Sequence, residues 1–206
     1  MLPFLAQAIR NSYHTGAISP SSPALARAMT RSFRHMTGPR RILEVGPGTG
    51  SFTRQILDSL RADDSFHLVE INEQFCKLLE TNHLEPARNR IPNAHIKLHS
   101  MPVEEVKFAD PFDFIVCGLP FNNFPPPSTR QIFRELLALL KPGAELSYFE
   151  YAGVRILRSA IVGTTGRSKI RRINAHGQTM RRRFGGSRQL VLANFPPAFA
   201  VRLHGA

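Results

Sequence analysis

The chain has 206 residues, 42% of them hydrophobic, and a formal net charge of +12. This length supports one domain with a sizeable core, and no stretch approaches the roughly 20 apolar residues that a membrane-spanning helix needs. Residues 1–150 hold 16 Lys/Arg and all 15 Asp/Glu, whereas residues 151–206 hold 11 Lys/Arg and no acid, an asymmetry that predicts a polyanionic partner, nucleic acid or anionic membrane, for the last third.

In chain order, Leu2, Leu5, Ile9 and Tyr13 recur at helical spacing, which predicts a short amphipathic helix over 2–13 that packs on the domain or lies in a membrane interface. Arg10 interrupts the apolar start and no small-residue cleavage site follows, so no signal peptide is expected. After a turn-rich segment, Ser22 caps a helix that Pro23 starts, running to about Met36. Gly38-Pro39 leads into strand 1, about Arg41–Val45, and helix A follows at about Thr49–Leu60. Strand 2 is Ser65–Glu70, helix B is Asn72–Glu85 and strand 3 is Ala94–Leu98. Strand 4, Phe112–Cys117, is an apolar run suited to burial on both faces. Helix D is about Ser128–Leu140, ended by Lys141-Pro142-Gly143, and strand 5 is Ala144–Tyr151. The alternation predicts a parallel sheet with helices on both sides. Arg188–Asn194 and Ala198–Leu203, joined by Phe195-Pro196-Pro197, predict a terminal hairpin that brings one antiparallel strand and a total of seven. Before it come a possible short helix, 154–162, and a basic run with Arg167, Lys169, Arg171 and Arg172. Cys76 and Cys117 have no metal spacing and read as buried free thiols in a reducing cytosol.

The chemistry centres on Glu44-Val45-Gly46-Pro47-Gly48-Thr49-Gly50. A β-branched run ends in a Gly-rich turn and a helix begins, an arrangement that sets a ligand at the carboxyl end of a parallel strand. The glycines allow the sharp turn and the close approach of a ligand, and leave the helix N–H groups free to face it. Glu70 ends the next apolar run, where a carboxylate accepts both hydroxyls of a ribose. The third glycine falls one residue early for the dinucleotide fingerprint. Glu-x-Gly-x-Gly-x-Gly instead resembles motif I of the class I S-adenosylmethionine-dependent methyltransferases. The resemblance implies a Rossmann-like fold, S-adenosylmethionine as cofactor, Glu44 near its methionine portion and Glu70 on its ribose. By position it adds Ile71 beside Glu70 and Ser100 and Met101 after strand 3, where the adenine is contacted.

Gly118-Leu119-Pro120-Phe121-Asn122-Asn123-Phe124, after strand 4, resembles motif IV of amino-methylating enzymes, with Gly118 where those have an Asn acceptor. Taken with Gly16–Ser22, Ala24–Met29 and Asn194–Ala198, the chain is similar over nearly its whole length to the bacterial phospholipid N-methyltransferases, relatives of the ribosomal RNA adenine dimethylases. That resemblance implies metal-free methylation of phosphatidylethanolamine towards phosphatidylcholine, by a monomer bound peripherally to the cytoplasmic face of the plasma membrane. It divides one methyltransferase domain into N-terminal helices and cofactor lid (1–37), Rossmann-like core (38–151), basic insertion (152–187) and terminal β-hairpin (188–206). An ammonium must lose its proton before it can be methylated. Tyr13, His14, Tyr148, Glu150 and Tyr151 are candidate acceptors, with Tyr148 and Tyr13 preferred as catalytic residues. Asn122, Asn123, Arg181, Arg182 and Arg183 are candidates for holding the substrate, the arginines on its phosphate. An RNA amino-methyltransferase is the competing reading, since positive charge suits both partners.

Overall fold

The computed structural model describes residues 21–121, 124, 126–152 and 184–205. The predicted helices at 2–13 and 154–162 and the basic run up to 183 lie outside them. Helix α1, Pro23–Met29, is capped by the Ser22 side chain, which accepts from the Leu25 N–H at 3.2 Å, and a 3-10 turn follows at Arg31–His35. The chain then alternates through β1 (Arg41–Val45), α2 (Ser51–Leu57), β2 (Ser65–Val69) and α3 (Glu73–Leu79). A wide π turn, Glu80–Leu84, carries α3 into α4 (Glu85–Arg90). Then come β3 (His95–His99), β4 (Phe112–Cys117), α5 (Pro126–Ala138), β5 (Leu140–Tyr151), β6 (Ser187–Val191) and β7 (Ala198–His204).

The seven strands form one sheet in the order β3-β2-β1-β4-β5-β7-β6. β1 to β5 are parallel, and β7 is antiparallel to both neighbours. This is the expected α/β fold with its parallel core and terminal hairpin. Because the chain runs outward from β1 on one side and resumes at β4 on the other, a crevice opens above the carboxyl ends of β1 and β4. β4 is buried at every position, as expected of a central strand covered on both faces. One core gathers Leu25, Met29, Ile56 and Phe149 beneath α1 and α2; the other gathers Ile115, Phe133, Leu136 and Tyr148 beneath α5.

Several boundaries differ from the sequence expectation. The first helix is α-helical only to Met29, and helix A only to Leu57. Helix B does not stop at Glu85: Pro86 falls in the first turn of α4, just beyond the π turn, where its missing N–H is tolerated. β5 begins at Leu140 rather than Ala144. Leu140 pairs with Phe112, the register shifts, and pairing resumes at Glu145 opposite Phe114, so Lys141-Pro142-Gly143 is a bulge within the strand.

One charged pair is buried at the amino edge of β1. Arg40 is 1% exposed; its guanidinium donates to the Phe33 and Ser59 carbonyls at 2.8 and 2.7 Å and to Asp64. Asp64 also accepts the backbone N–H groups of Arg40 and Arg61. Burial alone would raise the Asp64 carboxyl, but the hydrogen bonds from Arg40 and the two N–H groups outweigh it and hold it below its usual value.

On the β2–β3 side, the His67 and His99 rings stack with Nδ1 and Nε2 3.0 Å apart, enclosed by Phe108 and Phe112. Burial first, and then the charges of His99 and Arg41, lower His67 from 6.5 to about 4. The unfolded chain therefore takes up a proton that the folded one refuses. This contribution to stability is complete above pH 6.5 and is lost as the pH falls towards 4. The two values imply about 3 kcal/mol across that window, and partial solvent screening of the ring reduces the expected loss to about 2 kcal/mol. Urea unfolding as a function of pH should show it, and His67→Gln should flatten the slope; an equal slope in both proteins would remove His67 as its source.

Candidate active site

The strand register sets the floor of the crevice. His99, Val69, Val45, Cys117 and Tyr148 lie in one row across β3, β2, β1, β4 and β5. The residues just beyond remain tied to this row: the N–H groups of Glu70, Gly46 and Gly118 donate to the carbonyls of His99, Val69 and Val45. Glu70, Gly46 and Gly118 thus form a rim at one height, with Ser100 following His99.

Gly46, Gly48 and Gly50 all have positive φ, at 69°, 57° and 88°, which L side chains rarely adopt. Their surroundings differ. A Cβ on Gly46 would reach Leu119 Cδ2 at 2.5 Å and one on Gly50 would reach His83 Nε2 at 2.6 Å, whereas Gly48 faces open space. Gly46 and Gly50 are therefore packing glycines, and Gly48 is the place where a ligand meets bare backbone. Pro47 is buried and Thr49 exposed in the same loop.

Two acids flank the loop. Glu70 is 1% exposed and accepts from the Gly48 N–H at 3.0 Å, and from the Ile71 and Asn72 N–H groups at 2.9 and 3.0 Å. It clamps the glycine loop to the start of α3. Glu44 is fully buried; its Oε2 accepts from Thr53 Oγ1 at 2.8 Å, while Oε1 has no hydrogen-bond partner. Burial chiefly, with the Glu70 charge adding to it against the Thr53 hydrogen bond, pushes Glu44 up to about 8. A neutral carboxyl with one unused oxygen suits a cationic or hydrogen-donating ligand, which would restore its charge and fill that oxygen. Thr53 and His83 carry no sequence signal for these roles, because their contacts join different elements. Cys76 is buried and its Sγ lies 3.4 Å from Ser100 Oγ; Met101 is 39% exposed at the same corner.

On the β4 side, a Cβ on Gly118 would collide with the Gly46 carbonyl oxygen. The acceptor side chain that motif IV enzymes carry here has no room. Leu119 and Phe121 are buried. Tyr148, expected to be catalytic, is 2% exposed, with its ring edge-on to Phe121 and Phe133 at 5.6 and 4.8 Å. The alternation of β5 turns it into the core beneath α5, so it packs rather than lining the crevice. Its hydroxyl lies 3.4 Å from Oε1 of Glu150, which is half-buried at the carboxyl end of β5. Tyr13, His14, Asn122, Asn123, Arg181, Arg182 and Arg183 lie outside the described residues. Among the described residues no group of three His, Cys, Asp or Glu is arranged to hold a metal, and no helix is long and apolar enough to cross a membrane.

The family model described as Methyltransferase domain matches residues 42–143, which span the glycine loop, both acids and the Gly118 loop. An ornithine lipid N-methyltransferase of Singulisphaera acidiphila is 27% identical over 139 residues, covering 68% of this chain and 71% of that protein. Among solved structures, an O-methyltransferase from Bacillus cereus in complex with S-adenosylhomocysteine superposes with a TM-score of 0.65 at 16% identity. The match covers 97% of this chain and 90% of that one. The O-methyltransferase TomG from Streptomyces achromogenes, in complex with S-adenosylmethionine, gives 0.62 at 15% identity over 98% and 89%. At such identities these structures establish the shared fold.

Proposed function

Starting from an S-adenosylmethionine-dependent methyltransferase of class I fold, we propose that the chain N-methylates the amino head group of phosphatidylethanolamine, towards phosphatidylcholine, at an anionic membrane surface. The observation that carries this reading is the similarity to a lipid N-methyltransferase over two thirds of the chain. The glycine at 118 supports it, because a loop without a side-chain acceptor at that point lacks the amide that grips a nucleobase amine.

When bound, the cofactor supplies an electrophilic methyl group on a sulfonium. On this reading Glu70 holds the ribose hydroxyls through the carboxylate that now ties Gly48 to Ile71 and Asn72. Glu44 would serve the methionine portion, where its unused Oε1 could accept from the amino group. The bare backbone at Gly48 would let the ligand seat closely, with Ser100 and Met101 on the side of the adenine and Ile71, Gly118 and Leu119 completing the site. An in-line displacement needs positioning and a dry site more than acid–base strength. The ammonium must still lose its proton, and Glu150, at the carboxyl end of β5, takes it. Asn122, Asn123 and Arg181–Arg183 hold the phosphoethanolamine group, and the protein works as a peripheral monomer at the inner face of the plasma membrane.

The test uses S-adenosylmethionine labelled in its methyl group, offered with phosphatidylethanolamine liposomes or with ribosomal RNA. Label should pass into the lipid and extract with it. Label in the RNA and none in the lipid would replace this reading with the nucleic-acid one.

A further inference from the structure

The outer edge of the sheet carries a feature that the methyl-transfer site does not use. α1 and the edge strand β6 face each other across an open cleft of about 660 Å³. Arg27 and Arg31 from one wall and Leu190 and Leu192 from the other line it, with His35 at its lower end, and no Asp or Glu is among its lining residues. Both arginines are exposed, four residues apart. The upper mouth of the cleft is apolar: Leu192 is 73% exposed, and Phe195, at the tip of the β6–β7 turn, is 86% exposed. The tip is held in place. The buried Asn194 accepts from the Ser22 N–H at 2.8 Å and donates to the Pro196 carbonyl at 2.7 Å, fixing the turn to the start of α1.

Orientation gives these residues meaning. β6 runs in the same direction as β1 to β5, because each is antiparallel to β7 or parallel to a strand that is. Its carboxyl end, and with it Leu192 and Phe195, therefore points the same way as the rim formed by Glu70, Gly46 and Gly118. β6 is four strands from β1, about 19 Å along the sheet. A large exposed aromatic and a leucine on a rigid tip, with guanidinium groups beside and below them, are the elements of shallow bilayer insertion over a phosphate layer. Guanidinium groups match phosphate oxygens in geometry as well as charge. A second copy of the chain fits poorly, since a two-fold contact through this face would set arginine against arginine.

We propose that the α1–β6 cleft seats the phosphate of an anionic membrane phospholipid on Arg27 and Arg31, with Leu192 and Phe195 entering the bilayer above it. The carboxyl edge of the sheet then faces the membrane. The geometry stands by itself; only its purpose rests on the lipid-substrate reading.

The chain contains no tryptophan, so Phe195→Trp makes a single fluorescent probe at an exposed position. With vesicles of equimolar phosphatidylcholine and phosphatidylglycerol its emission should move to shorter wavelength; with phosphatidylcholine alone it should not. In the same background, Arg27→Gln with Arg31→Gln should weaken affinity for the mixed vesicles about 25-fold, about fivefold for each arginine near the surface. The proposal is overturned if the probe stays unshifted while the protein floats with mixed vesicles. It is equally overturned if the double variant binds them within about twofold of the parent, or loses only binding to RNA. The substrate reading is measured separately, as methyl transfer to phosphatidylethanolamine in neutral detergent micelles, where docking is not needed. Transfer there without the probe shift defeats the cleft alone; the shift and the 25-fold loss without transfer to any aminolipid defeat the substrate reading alone.

Discussion

Asp64→Ala is expected to lower the stability of the protein by about 3–5 kcal/mol, the effect of removing one partner of a buried ion pair. Both side chains of the Arg40–Asp64 pair are inaccessible to solvent. The substitution therefore strands a guanidinium that water cannot reach. It also removes the acceptor of the Arg40 and Arg61 N–H groups, which join the entry to β1 to the turn before β2. Arg40→Met combined with Asp64→Leu should cost much less than the sum of the single changes, since no isolated charge is then left buried. Chemical denaturation of Asp64→Ala, of Arg40→Met and Asp64→Leu singly, and of the double variant checks this. A single variant within 1 kcal/mol of the parent, about the size of an ordinary surface effect, would show that water reaches the site.

Glu70→Ala is expected to weaken binding of S-adenosylhomocysteine about 5- to 150-fold, as loss of hydrogen bonds to a charged group worth about 1–3 kcal/mol implies. Two effects act together. The carboxylate offered to the ribose is gone, and so is the clamp that holds the Gly48 N–H against those of Ile71 and Asn72. Glu70→Gln keeps an acceptor oxygen and should recover part of the affinity. Titration calorimetry measures both variants; unchanged affinity in Glu70→Ala would take Glu70 out of the cofactor site.

The architecture was legible because its central strands are written in plain terms. Phe112–Cys117 is apolar but for Asp113, which pairs with Lys141, and it has the same bounds in the structure as in the sequence. The glycine loop was legible for a similar reason: the positive φ found at 46, 48 and 50 is one that glycine adopts readily and other residues rarely do. Elements whose ends depend on partners were read less well. Pro86 looks like a stop signal, yet the helix continues past it once a π turn has widened the backbone. Lys141-Pro142-Gly143 looks like a turn, yet pairing with β4 on both sides of it makes one strand. Tyr148 shows the limit at the site. The sequence reveals a tyrosine near a strand end, but which way it points depends on strand register and on Phe121 and Phe133 packing over it. The Thr53–Glu44 and His83–Gly50 contacts escape a one-dimensional reading altogether, because each joins elements that only the fold brings together.

The contact between the Gly46 carbonyl and Gly118 has a consequence for how this enzyme could change its substrate. Adding a side-chain amide at 118 to grip a new amine is a one-codon idea but not a one-step path. The new side chain would displace the carbonyl that shapes the glycine loop, so the change would damage the parent activity before any new one could be selected. A side chain at Gly46 would in turn collide with Leu119, which makes three positions mutually epistatic. A lineage or a directed-evolution library would have to move the loop and the acceptor together. Substrate specificity at this end of the sheet is therefore expected to be historically locked, and libraries that vary 46, 118 and 119 jointly are the ones with a route out.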